Sequence, residues 1–175
     1  LRVDVHVTAE GRNKTSEVVI TRPDTASVLA YLPAPTLEDT EVVLVREFRS
    51  ASAGADGMVW ELPGGSSPEG NEDVLAVAAT ELHEETGVAI AAERLRSRGA
   101  RQLASTLLSH RGHLFSVELE AAEMDAFRAR RGLAHTEGGL SERTYVEVVR
   151  VGDLLVDRRL DWTNLGMVLA VLQGE

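Results

Sequence analysis

The chain has no cysteine among its 175 residues, which removes disulfide scaffolding, thiol nucleophiles and Cys-based zinc sites at once. Aromatics make up only 4%. Phe48, Trp60, Phe115 and Tyr145 are the candidates to stack on a nucleobase, and in so poor a set most are expected to be core. Basic residues are outnumbered, 18 against 28 acidic, for a net charge of -10. A binder of nucleic-acid backbones would carry a basic footprint, so that class is set aside, although a local cationic pocket for a phosphorylated metabolite is compatible with the balance. No apolar run approaches the roughly 20 residues of a membrane span, and the N-terminus has no charged segment followed by an apolar one. The expectation is a soluble, cytoplasmic protein with no membrane partner. Because the sequence opens on Leu1 and not Met, native residues are expected to precede it. The length suits one compact domain, 1–175, with its own hydrophobic core.

Taken in order, residues 3–8 alternate as a strand, Glu10–Asn13 reads as a turn, and Ser16–Arg22 reads as a second strand, together a hairpin. Ser27–Leu32 is a third strand, stopped at Pro33-Ala34-Pro35. Residues 1–32 are thus expected to form an N-terminal antiparallel extension. Glu41–Phe48 contains the continuous run Val42-Val43-Leu44-Val45, the mark of a strand buried on both faces. Ser50–Gly57 is a loop of small residues. Further on, Ala89–Leu95 is expected as a short strand, Leu114–Leu119 and Thr144–Val151 as alternating strands, Ala121–Arg130 as a short helix, and Gly132–Arg143 as a polar, Gly-rich loop. Val151–Arg158 reads as a break. Trp162–Leu172 carries Leu165, Val168, Leu169 and Leu172 on one stripe of a helix. Strands first, then a helix, more strands and a closing helix describe an α/β fold layered α/β/α with a mixed sheet, not a parallel doubly wound one.

The most informative stretch runs from Trp60 to Val88. A Pro/Gly-rich loop leads into a helix read as starting at an Asn71 cap, with Glu72 and Asp73 in its first turn, and stopping at Thr86-Gly87. Leu75, Ala78, Ala79 and Leu82 form its apolar stripe. Beside the stripe, Glu81, Glu84 and Glu85 project within about 100° of one another at 3.6 residues per turn. Glu81 and Glu85 are an i,i+4 pair of like charge, which costs roughly 0.2–0.5 kcal/mol even when exposed. A divalent cation would remove that cost, and hard oxygen ligands suit Mg²⁺ or Mn²⁺. A solvated face is the alternative reading of such a run, and for Glu72 a purely structural role at the helix start competes with a metal role. Gly64-Gly65 with Gly70 does not make a P-loop, because no Gly-Lys-Ser/Thr follows and the helix start is acidic.

Loop and helix together resemble the Nudix hydrolase signature: a glycine, a spaced glutamate, then Arg-Glu-aliphatic-x-Glu-Glu-x-Gly-aliphatic. The matching residues are Gly65, Glu72, Thr80-Glu81-Leu82, Glu84-Glu85 and Gly87-Val88. Thr80 stands where the signature has arginine, and the spacing from Gly65 to Glu72 is one residue longer than usual. The resemblance implies an α/β/α sandwich, covering the chain best from Val42 to Val88, and a metal set of Glu81, Glu84, Glu85 and Gly65. It also implies catalytic carboxylates at Glu85 and Glu84, with Glu137 or Glu142 supplied by the distal loop.

Within that family the chain is most similar to enzymes acting on ADP-ribose and other nucleotide sugars, which carry an Arg-rich segment before Glu-Leu-Pro-Ala-Gly. The counterparts here are Arg46 and Arg49, then Glu61-Leu62-Pro63-Gly64-Gly65. A guanidinium fork suits a diphosphate; the plain alternative for Arg46 and Arg49 is surface charge at a strand end. Glu61, Arg101 and Phe48 complete the expected substrate-contacting set. His6 reads as an ordinary strand side chain, and His110 and His113 as turn and surface residues, since their spacing builds no zinc site without a third ligand. The implied reaction is Mg²⁺-dependent cleavage of a small nucleotide's diphosphate linkage, with AMP and ribose 5-phosphate as products from ADP-ribose. Nucleoside triphosphates, dinucleoside polyphosphates and non-catalytic binding of nucleotide sugars are the alternatives. The subgroup further implies a homodimer joined through the hairpin at 3–22.

Overall fold

The computed structural model describes residues 1–66, 73–135 and 143–174. Strands β1 (Arg2–Val7) and β2 (Arg12–Val18) pair antiparallel as a separate two-stranded sheet. A short 3-10 turn, Thr8–Glu10, joins them and closes on Gly11 at φ +58°, a conformation glycine adopts without penalty. The tight closure starts the second strand at Arg12, four residues earlier than Ser16. No strand residue of this hairpin is buried.

The main sheet contains β3 (Thr25–Leu32), β4 (Glu41–Phe48), β5 (Met58–Glu61), β6 (Gly64–Gly65), β7 (Arg96–Gln102), β8 (Arg111–Glu118), β9 (Ala134–His135) and β10 (Thr144–Arg150). Its order is β7-β8-β3-β4-β10-β9, with β5 paired to β4 and β6 to β3. Among the described strand pairs of this sheet only β3–β8 is parallel, so the sheet is mixed. Thr25–Leu32 therefore belongs to the central sheet, and the separate extension is the β1–β2 hairpin alone.

Helices α1 (Val74–Thr86), α2 (Ala121–Arg128), α3 (Val151–Asp157) and α4 (Trp162–Leu172) complete the fold. Successive strand side chains point to opposite faces, and both faces are covered. On one, Ala26, Val28, Ala30, Val43, Phe115, Val117, Val146 and Val148 pack against Val77, Ala78 and Leu82 of α1 and Met124 and Phe127 of α2. On the other, Leu29, Val42, Leu44, Leu114 and Val149 pack against Leu154 of α3 and Val168 and Val171 of α4. This is the expected sandwich, and it explains why Val42–Val45 is apolar without alternation. Among the described residues no helix is long and apolar enough to cross a membrane.

Several boundaries differ from the sequence expectation for physical reasons. Ala89–Leu95 is not a strand; it holds a 3-10 turn at Ala92–Arg94, and the strand is β7. That strand, RSRGARQ, lies at the sheet edge with one half-buried residue, Arg98, and the rest exposed, so it has no apolar face to betray it. Charged edges also discourage pairing with other chains. Val151–Arg158 is not a break but helix α3, whose seven residues are too few to display a period, although Val151 and Leu154 are buried. Within Gly132–Arg143, Ala134 and His135 pair with β10. Helix α1 starts at Val74, capped by the Asp73 carboxylate accepting from the Leu75 N–H at 3.1 Å; Asn71 and Glu72 lie outside the described residues. Its end at Gly87, φ +67°, is as expected.

Leu82 is wholly buried between α1 and the sheet. Leu82→Ala is expected to lower the unfolding free energy by about 2–5 kcal/mol in urea titration, the range for a buried leucine deletion. The exposed Thr80→Ala on the same helix is expected to change it by no more than about 0.5 kcal/mol.

Candidate functional site

The alternation that buries β4 on both faces also sorts its charged end. Val43, Val45 and Glu47 share the face covered by α1; Val42, Leu44 and Arg46 share the other. Glu47 is 6% exposed, an uncommon degree of burial for a carboxylate. Arg49, just beyond the strand, donates from Nη2 to Glu47 Oε2 at 3.0 Å and from Nε to Glu61 Oε1 at 2.9 Å. Glu61 sits opposite Val45 in the β4–β5 register, which turns it to the same face.

From α1, Glu85 reaches this group. Its Oε2 accepts the Gly64 N–H at 2.8 Å, and its backbone carbonyl accepts from Thr144 Oγ1 at 2.8 Å. The helix is thereby tied to the loop on one side and to β10 on the other. Burial of the carboxyl end pushes the Glu85 pKa up to about 8, opposed by the Gly64 hydrogen bond and reinforced by the charges of Glu81, Glu47 and Glu61. The same group holds Arg49 above its usual value: burial opposes the shift, and the bond to Glu61 with the charges of Glu61, Glu47 and Glu85 outweighs it.

The two glycines beside Glu85 serve different contacts. A Cβ on Gly64 would stand 2.1 Å from the Ala26 carbonyl oxygen, because β6 lies directly against β3. A Cβ on Gly65 would stand 2.2 Å from Glu81 Oε1. Only glycine lets the Glu81 carboxylate lie on the loop backbone. Ser66 follows, its Oγ accepting from Arg22 Nη2 at 2.6 Å.

The predicted residues therefore separate into those brought together and those placed elsewhere. Glu81, Glu85, Gly65, Arg49 and Glu61 converge on one face. Glu84 is exposed on the neighbouring flank of α1. Arg46 lies on the opposite sheet face, with its guanidinium 4.8 Å from the centre of the Tyr145 ring and Nε 3.4 Å from Glu147. Phe48 is 61% exposed, its ring covering Gly57. Arg101 is exposed on edge strand β7, opposite Gly112. Glu72, Glu137 and Glu142 lie outside the described residues. His110, read as a surface residue, is instead buried at 6% with Nδ1 lacking a hydrogen-bond partner among the described residues. His113 Nε2 pairs with Asp24 at 3.1 Å.

Sequence reasoning missed Glu47. The signal was present: in Val43-x-Val45-x-Glu47-x-Arg49, alternate positions of a buried strand end in charges that must share a face.

Among the described residues no three His, Cys, Asp or Glu side chains already stand together as a metal cluster. The donor set nevertheless fits a hard divalent cation. Glu47, Glu61, Glu81 and Glu85 are all oxygen donors, Arg49 is paired with Glu47 and Glu61, and burial, reinforced by the charges of Glu81, Glu47 and Glu61, pushes the Glu85 pKa up to about 8. Mg²⁺ and Mn²⁺ suit such ligands.

The model of the NUDIX domain family matches residues 25–132, more than half of the chain. The match spans the main sheet from β3 to β8 with α1, the Gly64–Gly65 loop and α2. No curated protein matches the chain closely enough to add a relative.

Between the ordinary carboxylate value of 4.5 and about 8, folded Glu85 keeps a proton that the unfolded chain has lost. This group's contribution to stability therefore falls as pH rises through that window. Glu85→Gln keeps an oxygen for the Gly64 N–H and removes the titration. In divalent-free buffer the variant is expected to gain stability relative to the parent between pH 5 and pH 8, read as a urea midpoint difference that grows with pH. A constant difference would contradict the shift.

Proposed function

Because the chain belongs to the Nudix hydrolase family, we propose that it hydrolyses the diphosphate linkage of a nucleoside diphosphate sugar such as ADP-ribose, releasing a nucleoside monophosphate and a sugar phosphate. The observation that carries this reading is the enclosed Glu85 carboxylate, set among Glu81, Glu47 and Glu61 against the Gly64–Gly65 loop, with Arg49 on the same face. The segment Glu61–Gly65 following Arg49 supports the nucleotide-sugar class by its resemblance to that subgroup. Small nucleotide-type substrates are general to Nudix domains.

A diphosphate resists attack by water because its oxygens are already negative. Glu81, Glu84 and Glu85, with Gly65 beside them, would hold Mg²⁺ or Mn²⁺, which when bound neutralises that charge and acidifies water. Arg49 donates to a phosphate oxygen and stabilises the charge that develops on the leaving group. The attacking water forms the new P–O bond and gives its proton to a carboxylate, Glu85 or one delivered by the distal loop at Glu137 or Glu142. The bridging P–O bond breaks, and for ADP-ribose the products are AMP and ribose 5-phosphate. Arg46, Arg101 and Phe48 stay with this reading as contacts to the distal ends of the substrate. Glu84, on its exposed flank, shares the metal and catalytic roles without having to leave the core.

One observation favours a second reading, binding of nucleotide sugars without turnover. Thr80 stands exposed where the signature has an arginine, so the α1 carboxylates lack the cation expected on their own helix. Arg49 offsets this by bringing a guanidinium from just beyond β4. Nucleoside triphosphates and dinucleoside polyphosphates are the other substrates a Nudix site of this kind would be assayed on.

A cytoplasmic homodimer completes the proposal. Its support is the hairpin: Leu1, Val5 and Val18 are exposed apolar residues there, and an isolated two-stranded hairpin gains little stability alone.

Glu85→Gln is expected to reduce Mg²⁺-dependent release of AMP from ADP-ribose by roughly 100-fold or more, the scale for losing a positioned acid–base or metal-bound carboxylate. Undiminished turnover across a panel of phosphoanhydrides would remove Glu85 from the chemistry, and tight binding by an inactive parent protein would favour the second reading. Mass analysis of products separates the substrate classes. In gel filtration at micromolar concentration the protein is expected to elute as a dimer; a monomer volume would defeat the assembly.

A further inference from the structure

Three consecutive residues of the loop before α1 are each pinned to a different part of the fold. The Leu62 N–H donates to Asn164 Oδ1 of α4 at 2.9 Å. The Pro63 carbonyl accepts from the Val28 N–H of β3 at 2.9 Å. The Gly64 N–H donates to Glu85 of α1 at 2.8 Å. The first and last of these bonds join opposite layers of the sandwich, since α4 covers one face of the sheet and α1 the other.

We propose that Asn164 is a positioning residue for the Glu85 site, acting through the backbone of Leu62–Gly64. This rests on the hydrolase reading above. Asn164 is 8% exposed, and it holds the N–H of Leu62, itself 4% exposed, a donor that is costly to leave unpaired when buried. A second hydrogen bond fixes the orientation of its amide, because Nδ2 donates to Asp161 Oδ1 at 3.1 Å and leaves Oδ1 aimed at Leu62. The bond to Leu62 is not needed to start the helix. Asp161 caps α4 by accepting the Asn164 backbone N–H at 2.7 Å, and that contact survives truncation of the Asn164 side chain.

Removing the Asn164 oxygen leaves the Leu62 N–H buried and unpaired, so the loop must shift to find a partner. Gly64 has little freedom to absorb the shift, being pressed against the Ala26 carbonyl. The displacement passes to its N–H and so to the Glu85 carboxylate. Asn164 lies on α4, beyond the residues, 25–132, that match the family model.

The test compares Asn164→Ala with Val168→Ala in the full chain. Val168 is wholly buried on the same helix and in the same core cluster as Leu62, and its truncation opens a cavity there while leaving the hydrogen bond from the Leu62 N–H to Asn164 in place. Steady-state hydrolysis of ADP-ribose with Mg²⁺ and amide hydrogen exchange over residues 62–64 are measured for both. For Asn164→Ala, kcat is expected to fall roughly tenfold with KM within about twofold, and exchange at Leu62 and Gly64 to accelerate, as for misplacement of a catalytic group. Val168→Ala is expected to keep kcat within about twofold and the Gly64 amide protected, since its loss is one of packing. Should Asn164→Ala not fold, Asn164→Ser is read the same way. Equal loss of kcat in the two variants, or an unchanged Gly64 amide in the Asn164 variant, would overturn the inference. If the parent protein hydrolyses no phosphoanhydride, the hydrolase reading fails by itself, and the exchange comparison still decides whether Asn164 holds Gly64.

Discussion

The candidate site depends on one contact, the Gly64 N–H held by the Glu85 carboxylate. It joins a loop built on the main sheet to the last turn of α1, and it does so with a group that burial and three neighbouring acids push up to about 8. An acid so placed is costly to ionise in isolation and well suited to sharing its charge with a cation. Gly64 is the residue that permits the contact, because β6 presses its backbone against Ala26.

The sheet supplies the rest through its two faces. Both cores are needed: one seats α1 so that its acidic flank meets the loop, and the other seats α4 so that Asn164 can meet Leu62. Arg46 and Arg49 show how sharply this division acts. They are three residues apart, yet one stacks on Tyr145 on the α4 side and the other pairs with Glu47 and Glu61 on the α1 side. A single guanidinium fork made from both is not what the strand presents.

Legibility in the sequence followed the physical strength of each signal. The α1 stripe, the Gly87 stop, the doubly buried β4 and the bounds of α4 were readable, because burial imposes a period and a left-handed C-cap demands glycine. Of the expected α4 stripe Val168 is buried and Leu165, Leu169 and Leu172 are half-buried, while Asn164 and Val171 are the other buried residues. Edge strand β7 was hidden, since nothing covers its side chains, and α3 was hidden by its brevity. At the site, Glu81 and Glu85 were readable from helical spacing and from a family signature. Glu47 required the observation that alternate positions on β4 share a face, and Asn164 required knowing which layer lies behind Leu62.

By itself, then, the sequence determined the α/β class, the acidic helix after a glycine loop, and the family to which that pairing belongs, all of which rest on contacts within a few residues. Only the tertiary structure decided that Glu47 and Glu61 join Glu85, that Arg49 and not Arg46 stands with them, and that a C-terminal asparagine braces the loop. Those are meetings of strands and helices up to about a hundred residues apart, chosen by sheet register and layer packing, to which local periodicity is blind.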